Sequence, residues 1–333
     1  MKTHYTIPIF IPEKACPFRC VYCNQYLIAD TIQSPSPDDI QKIMDRYLTS
    51  MPNTGCKRIA FFGGSFTGMC MEEQNQFLEV AKAYIEKGAV AELQLSTRPD
   101  YISQAILDNL KSYGVRIIEL GAQSLDAEVL SQAGRGHTIE DVKIASELIC
   151  ENGFELGLQM MIGLPGDSYS KSMQTAQKII DFGASYTRIY PALVIKDTQL
   201  ETLYRRNEYS PLSLDEAVRW SKDLMKLFEK HTVRILRIGL HPSEGLINGD
   251  SLVAGPFHRS FKELVCTARW KELFSEILKQ KGESIVIKIN PNQINAAVGY
   301  NKENKNLILK FFKKVAFETD NKIEYWKFDY RIQ

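Results

Sequence analysis

Cys16, Cys20 and Cys23 lie within a stretch of eight residues, with Tyr22 directly before the last of them. Three thiols so close in the chain converge on one object. A tetrahedral zinc site normally takes four protein ligands, and the other four cysteines, Cys56, Cys70, Cys150 and Cys266, are scattered with no second CxxC among them. A four-iron cluster held by three cysteines instead keeps one iron open for a substrate or cofactor. On spacing alone, structural zinc and thiols that merely share a loop stay open beside the cluster. If a cluster is the object, the rest of the chain must supply a rim around it.

The elements that would build such a rim alternate along the chain. Short β-type runs at 5–11, 58–62, 91–95, 115–120, 155–162 and 186–190 are separated by amphipathic segments at about 37–50, 72–86, 102–112, 139–151 and 170–182, with a further helix after Asp126. Strands joined by helical crossovers give a parallel sheet, and repeated units close it wholly or partly into a barrel. In that architecture ligands sit at the C-terminal ends of the strands. Those positions carry Gly63, Gly64 and Ser65 after the second run, Ser96 to Asp100 after the third, Gly121 to Ser124 after the fourth, Gly163 to Asp167 after the fifth and Pro191 after the sixth. Glycines there let a backbone approach a ligand closely and expose its N–H groups.

The chain has 333 residues, 44% of them hydrophobic, enough for one large domain and an appendage. Its 41 basic and 40 acidic side chains leave a net charge of +1, which excludes a global polyanion-binding character and makes any nucleic-acid site local. No basic, apolar leader opens it and no apolar run reaches roughly 18 residues, so a cytoplasmic, membrane-free protein is expected. Seven cysteines, three of them clustered, suit a reducing compartment better than a disulfide framework.

From about residue 6 to 261 the chain resembles a radical S-adenosylmethionine (SAM) core, and is most similar to the radical half of the Elongator catalytic subunit, the Elongator protein 3 family that modifies the tRNA wobble uridine. The likeness rests on the CxxxCxxC run, on 63–67, 96–101, 119–124, Arg135-Gly136-His137-Thr138, 159–166 and 188–196. It implies a partial (β/α)6 barrel of the TIM type, with Cys16, Cys20 and Cys23 ligating a [4Fe–4S] cluster whose open iron takes SAM. It further implies that Tyr22, Gly63, Gly64, Ser65, Gln123, Ser124, Arg135 and Gln159 bind the cofactor, with Tyr190 and Lys196 as further catalytic candidates. Arg135 can pair a carboxylate in a two-pronged way, and amide side chains can bond ribose hydroxyls. One position departs from the pattern: related enzymes often place a glutamate where this chain has Ser96. An external one-electron donor, such as flavodoxin or ferredoxin, would reduce the cluster, and SAM cleavage would yield a 5′-deoxyadenosyl radical.

The Elongator enzyme adds an acetyltransferase domain for which this sequence leaves no room. Instead, residues 1–240 read as the core, 241–282 as a connector with a covering helix, and 283–333 as a small α/β module. A strand at 233–238 precedes loops with Arg237, His241, His258 and Arg259, candidates for substrate contacts at the barrel mouth. In the module a β–helix–loop–helix–β order resembles a minimal KH unit: a strand at 284–290, helices at 292–298 and 304–314, and strands at 315–318 and 322–328. Its four-residue loop keeps Gly299 but has Lys302 in place of the second glycine. From Gln280 onward ten Lys and Arg face six Asp and Glu, with Tyr300, Tyr325 and Trp326 available for stacking. RNA, above all tRNA, is therefore the expected substrate, with Arg98, Arg237, Arg259, Gly299 and Lys302 as its contacts. A coproporphyrinogen-oxidase-like reaction on a small molecule is the alternative.

Overall fold

Ile7, Ile9 and Ile11 alternate into the core along the first strand, and this strand edges a seven-stranded, all-parallel sheet. The structure, a computed structural model, describes residues 4–11, 16, 20–29 and 34–333. The sheet strands are β1 (His4–Ile11), β2 (Cys56–Gly63), β3 (Glu92–Thr97), β4 (Val115–Gln123), β5 (Glu155–Ile162), β6 (Tyr186–Pro191) and β7 (Arg234–Ile238), each beside its sequence neighbour in a curled half-barrel. Helices α1 (Pro37–Ser50), α2 (Met71–Glu86), α3 (Gln104–Ser112), α4 (Ile139–Glu151) and α5 (Tyr169–Asp181) fall between consecutive strands. A parallel sheet covered by its crossover helices is buried on both faces. β4 shows it, with only Arg116 and Gln123 outside the buried class. Capping boxes, Ser36 with Asp39 and Thr138 with Asp141, start α1 and α4 where the apolar periodicity begins.

The expected six-strand series gains a member. After α6 (Leu214–Lys230), β7 pairs in parallel with β6, Tyr186 opposite Arg234 and Ile189 opposite Ile238. The strand expected at 233–238 is this seventh member; the irregular stretch after β6 conceals only its place in the sheet, where the backbone groups of β6 need a partner on that side.

Packing divides the chain into two compact units, 1–213 with 227–257, and 214–226 with 258–333, where composition suggests cuts at 240 and 282. The second unit has its own core. Trp270 from α7 (Phe261–Leu273), together with Phe274 and Ile277, packs on Ile285, Ile287 and Ile289 of β8 (Gly282–Ile289) and on Phe312 and Val315 of β9 (Phe312–Thr319). That cluster draws the helix before residue 281 into the module. β8 is the central strand, parallel to β9 and antiparallel to β10 (Phe328–Ile332). The helix expected to run to 314 stops at Ile308, because Phe312 and Val315 are needed in the core. The strand expected at 322–328 starts at Phe328 instead. Among the described residues no helix is long and apolar enough to cross a membrane.

Candidate active site

The cysteine loop leaves β1; Cys16 and 20–25 are described, while 12–15 and 17–19 lie outside the described residues. Its far end is tied down by backbone. The Val21 N–H donates to the Ala133 carbonyl at 3.1 Å and the Leu200 N–H to the Val21 carbonyl at 2.7 Å. Tyr22 packs with Val129, Leu164, Val194 and Tyr209, so the aromatic beside the last cysteine is a buried wedge. Burial, and then the neighbouring Cys20 thiol, push the Tyr22 hydroxyl well above the ordinary tyrosine range. Asn24 Nδ2 donates to the Lys196 carbonyl at 3.4 Å, whereas the Lys196 side chain is exposed. Gln25 Nε2 donates to the Gly63 carbonyl at 3.0 Å, linking the loop to the end of β2.

At that strand end only glycine fits. Gly63 has φ +111°, and a Cβ there would stand 2.4 Å from the Ile11 carbonyl oxygen. The next N–H, of Gly64, donates to the same oxygen at 2.6 Å. The Ser65 hydroxyl turns inward, 2.9 Å from Thr97 Oγ1, and accepts from the Arg98 N–H. Gly64, Ser65 and Ser96 line one small recess with Ile11 and Phe62.

At the end of β4 two long polar side chains cross over Gly121. Arg135 donates through Nη2 to the Gly121 carbonyl at 2.7 Å and through Nη1 to Cys20 Sγ at 3.5 Å. A Cβ on Gly121 would stand 2.8 Å from Arg135 Nη2 and 2.9 Å from Gln123 Nε2, so a larger residue there would displace the ends of both side chains. Gln123 adopts φ +63°, and its buried Oε1, like Arg135 Nε, has no hydrogen-bond partner. Burial alone would lower the Arg135 pKa, but the Tyr22, Cys20 and Cys16 side chains outweigh it and hold the guanidinium charged. Nearby His137 is 4% exposed, with neither ring nitrogen satisfied. Burial, then Arg135 and Arg98, depress its pKa to about 3, so its ring is neutral at neutral pH. The Ser124 hydroxyl is spent on Thr175 Oγ1 and the Asp126 N–H, inside the fold.

Beneath the rim lies a buried ionic layer that the sequence reading did not single out. Glu119, 0% exposed, accepts from Arg188 Nε at 2.6 Å and Nη2 at 2.8 Å, from Gln159 Nε2 at 3.1 Å, and from Gln94. Gln159 Nε2 also donates to Ser96 Oγ at 3.0 Å, and Arg188 Nη1 to the Tyr190 hydroxyl at 3.4 Å. Burial works against the Arg188 charge, yet Tyr190 and Glu119 hold its pKa above the usual arginine value. The available signal is the period of two along each strand, which sets Glu119 in line with Gly121 and Gln123, and Arg188 in line with Tyr190. Just after β5, Asp167 accepts from the Gly163 and Ser168 N–H groups and the Ser172 hydroxyl, each at 2.8 Å. Burial nevertheless raises its pKa.

The residues expected to meet RNA are divided between the two units. Arg98 has a side chain 3% exposed and pairs with Asp100 at 2.9 Å, so it offers no free charge to solvent. Arg237 is half-buried in β7, beside Arg188 in register. In the second unit Arg259 and Lys302 are exposed. The Gly299–Lys302 loop is anchored on α7: the Tyr300 N–H donates to Thr267 Oγ1 at 2.8 Å and Asn304 Nδ2 to the Thr267 carbonyl at 3.0 Å. Trp326 is half-buried against the module's core, 5.8 Å from Trp270 and under Arg269 at 3.9 Å. Tyr325 is 51% exposed.

Residues 11–179 match the family described as the Radical SAM superfamily, and residues 184–271 the Radical_SAM C-terminal domain. The chain is 32% identical over 174 residues to the tRNA uridine(34) acetyltransferase of Methanocaldococcus infernus, covering 50% of this chain and 32% of that protein. It is 28% identical over 268 residues to the protein of the same name from Methanocaldococcus jannaschii, covering 68% and 49%. The chain thus spans about a third to a half of the length of these relatives. The fold is shared with the solved archaeal Elp3 of Methanocaldococcus infernus bearing an N-terminal deletion, at a TM-score of 0.67 and 22% identity over 82% of this chain and 64% of that one.

Proposed function

The chain belongs to the radical SAM superfamily, and from that premise we propose that it is a SAM-cleaving iron–sulfur enzyme acting on RNA, with a tRNA uridine as the substrate residue. The observation that carries the cofactor reading is Arg135, which points one nitrogen at Cys20 and another at the end of β4. A buried guanidinium aimed at a cysteine sulfur and at a strand end brings a fixed positive charge to both, as a metal-held ligand with a carboxylate would need. The residues present suit a three-cysteine cluster with a bound amino acid: Cys16, Cys20 and Cys23 would hold the iron, and Arg135 would face the SAM carboxylate. Gln123 Oε1, buried and unpartnered, suits a ribose hydroxyl. Gly63, Gly64 and Gln159 would complete the rim, while the inward-turned hydroxyls of Ser65 and Ser124 support it from behind. When bound, cluster and SAM supply a one-electron cleavage to methionine and a 5′-deoxyadenosyl radical. The protein's own part is to orient the ligand and exclude water. Glu119 and Arg188 fix Gln159 and Tyr190 from below; Tyr22 closes the loop side.

The RNA reading is supported by the name of the two archaeal relatives and by the basic excess of the C-terminal module. Mass spectrometry of tRNA nucleosides from a strain lacking the gene tests it directly, with loss of one modified uridine expected. An unchanged tRNA profile, alongside intact anaerobic release of 5′-deoxyadenosine by the purified protein, would shift the substrate to a small molecule.

A further inference from the structure

The opposite end of the sheet from the glycine rim carries a second concentration of ligand-type side chains. His4 and Cys56, the first residues of β1 and β2, are register partners, and Glu92 opens β3. One ligand atom from each of these three side chains lies within 4.8 Å of the other two. Among the described residues His4 Nδ1 is buried without a hydrogen-bond partner, and Cys56 is a free thiol. We propose that His4, Cys56 and Glu92 form a second metal site, separate from the cysteine loop, that takes a zinc-class divalent cation.

The donor set decides the class. Imidazole, thiolate and carboxylate together exclude the hard calcium and magnesium ions, which take oxygen ligands, and match borderline ions such as zinc. Metal–ligand bonds of tetrahedral zinc place its donor atoms roughly 3.4 to 3.8 Å apart, so small side-chain rotations close the present spread. Three protein ligands leave a fourth position for water. Binding breaks the Cys56 S–H bond, forms a sulfur–metal bond and releases the proton to solvent.

Glu92 is already paired, with Arg58 Nε at 2.9 Å and Arg116 Nη1 at 3.2 Å. Both guanidiniums have second partners, however: Arg58 Nη1 donates to Gln94 Oε1 at 3.0 Å and Arg116 pairs with Glu155 at 2.6 Å. Glu92 can therefore turn one oxygen to a cation without stranding either arginine. The Cys56 thiolate brings one new negative charge to the ion, and Glu92 shares its own between the ion and the arginines. The gain is mechanical. β1 is an edge strand, and its far end leads into the cysteine loop; a metal at its first residue pins that strand to β2 and β3.

The test adds zinc alone to the full-length, anaerobically iron-reconstituted protein, removes excess by gel filtration and counts both metals. About one zinc per chain is expected beside unchanged iron. Separate Cys56→Ser and His4→Ala variants should bind zinc at least about tenfold more weakly, again with iron unchanged. In a variant with Cys16, Cys20 and Cys23 all changed to Ser, cobalt(II) alone should give thiolate-to-cobalt charge-transfer absorption that adding Cys56→Ser abolishes. Glu92→Gln strands part of the arginine network and can fail to fold, so His4→Ala carries the result in its place. No retained zinc, zinc retained equally by Cys56→Ser and His4→Ala, or zinc taken up only as iron is lost would each overturn the proposal.

Discussion

The half-barrel and the C-terminal module bury different kinds of side chain. Inside the barrel lie Arg58, Glu92, Gln94, Glu119, Arg98, Arg135 and His137, all buried. The module closes instead on Trp270, Phe274, three isoleucines of β8 and Phe312, with uncharged Asn304, Thr267 and Gln293 among its buried polar residues. Ordering ionic groups in a dry interior costs stability unless every partner is present, whereas an apolar core gains from each residue it encloses. The barrel carries this costlier kind of interior at both ends of its strands, Arg58 and Glu92 at their starts and Arg98, Arg135 and His137 at the rim. The module shows what the same chain builds where packing alone decides.

Several substitutions would break or sharpen this contrast. The largest effect belongs to the cysteine loop: Cys16→Ala, Cys20→Ala or Cys23→Ala should each abolish a cluster of about four iron per chain, as read by iron analysis after anaerobic reconstitution. Changing Cys150 in the barrel or Cys266 in the module should leave the iron in place. An iron content that depends on Cys266 would end the assignment of the chemistry to the barrel.

Next in size is the buried ion pair. Glu119→Ala strands Arg188 and should lower the unfolding free energy by about 3–5 kcal/mol, measured by denaturant titration. Ile287→Ala in the module should cost about 2–5 kcal/mol through cavity formation alone. The discriminating variant is Glu119→Ala with Arg188→Met, which removes both charges and should recover much of the loss; no comparable rescue exists for Ile287. If the double variant is no better than the single one, the barrel interior is held by shape and not by charge pairing.

Arg135→Ala and Gln123→Ala come third. Each should weaken SAM binding by about tenfold or more, the equivalent of roughly 1.5–3 kcal/mol, with the cluster still assembled. Calorimetric titration of the iron-loaded variants measures this, and unchanged affinity in both would move the cofactor away from the β4 cradle.

His137 provides a pH test. Its folded pKa, about 3, lies below the unfolded value near 6.5, so the unfolded chain binds the proton first. The stability from burying the neutral ring is present above about pH 6.5 and is lost as pH falls toward the folded value, at up to about 1.4 kcal/mol per pH unit. His137→Gln should flatten the fall between about pH 6.5 and 5, and identical slopes would mean that the ring is not held neutral.

The smallest effect is expected at the module surface. If RNA touches the Gly299–Lys302 loop, Lys302→Glu should weaken tRNA binding irrespective of sequence and reduce its salt dependence by roughly one unit of slope. SAM cleavage without RNA should be untouched. Wild-type behaviour from this variant would return the RNA contacts to the barrel.

Much of this was legible in the sequence. The spacing of the three cysteines points them at one object, strand-helix alternation predicts the parallel sheet, and polar and glycine residues after each strand mark the end where ligands are expected. These are local signals, set by periods of 2 and 3.6 residues and by turn chemistry. Tertiary structure decided everything that depends on register between distant strands. Glu119 meets Arg188 across 69 residues of chain, and His4 meets Cys56 because β1 pairs with β2 in one register and not the next. Packing also reassigned residues whose types looked free: Arg98 turns inward onto Asp100, and Trp326, half-buried, packs against the module's core. A side chain's type states what bonds it can make; the partner that reaches it first is chosen by the packed fold.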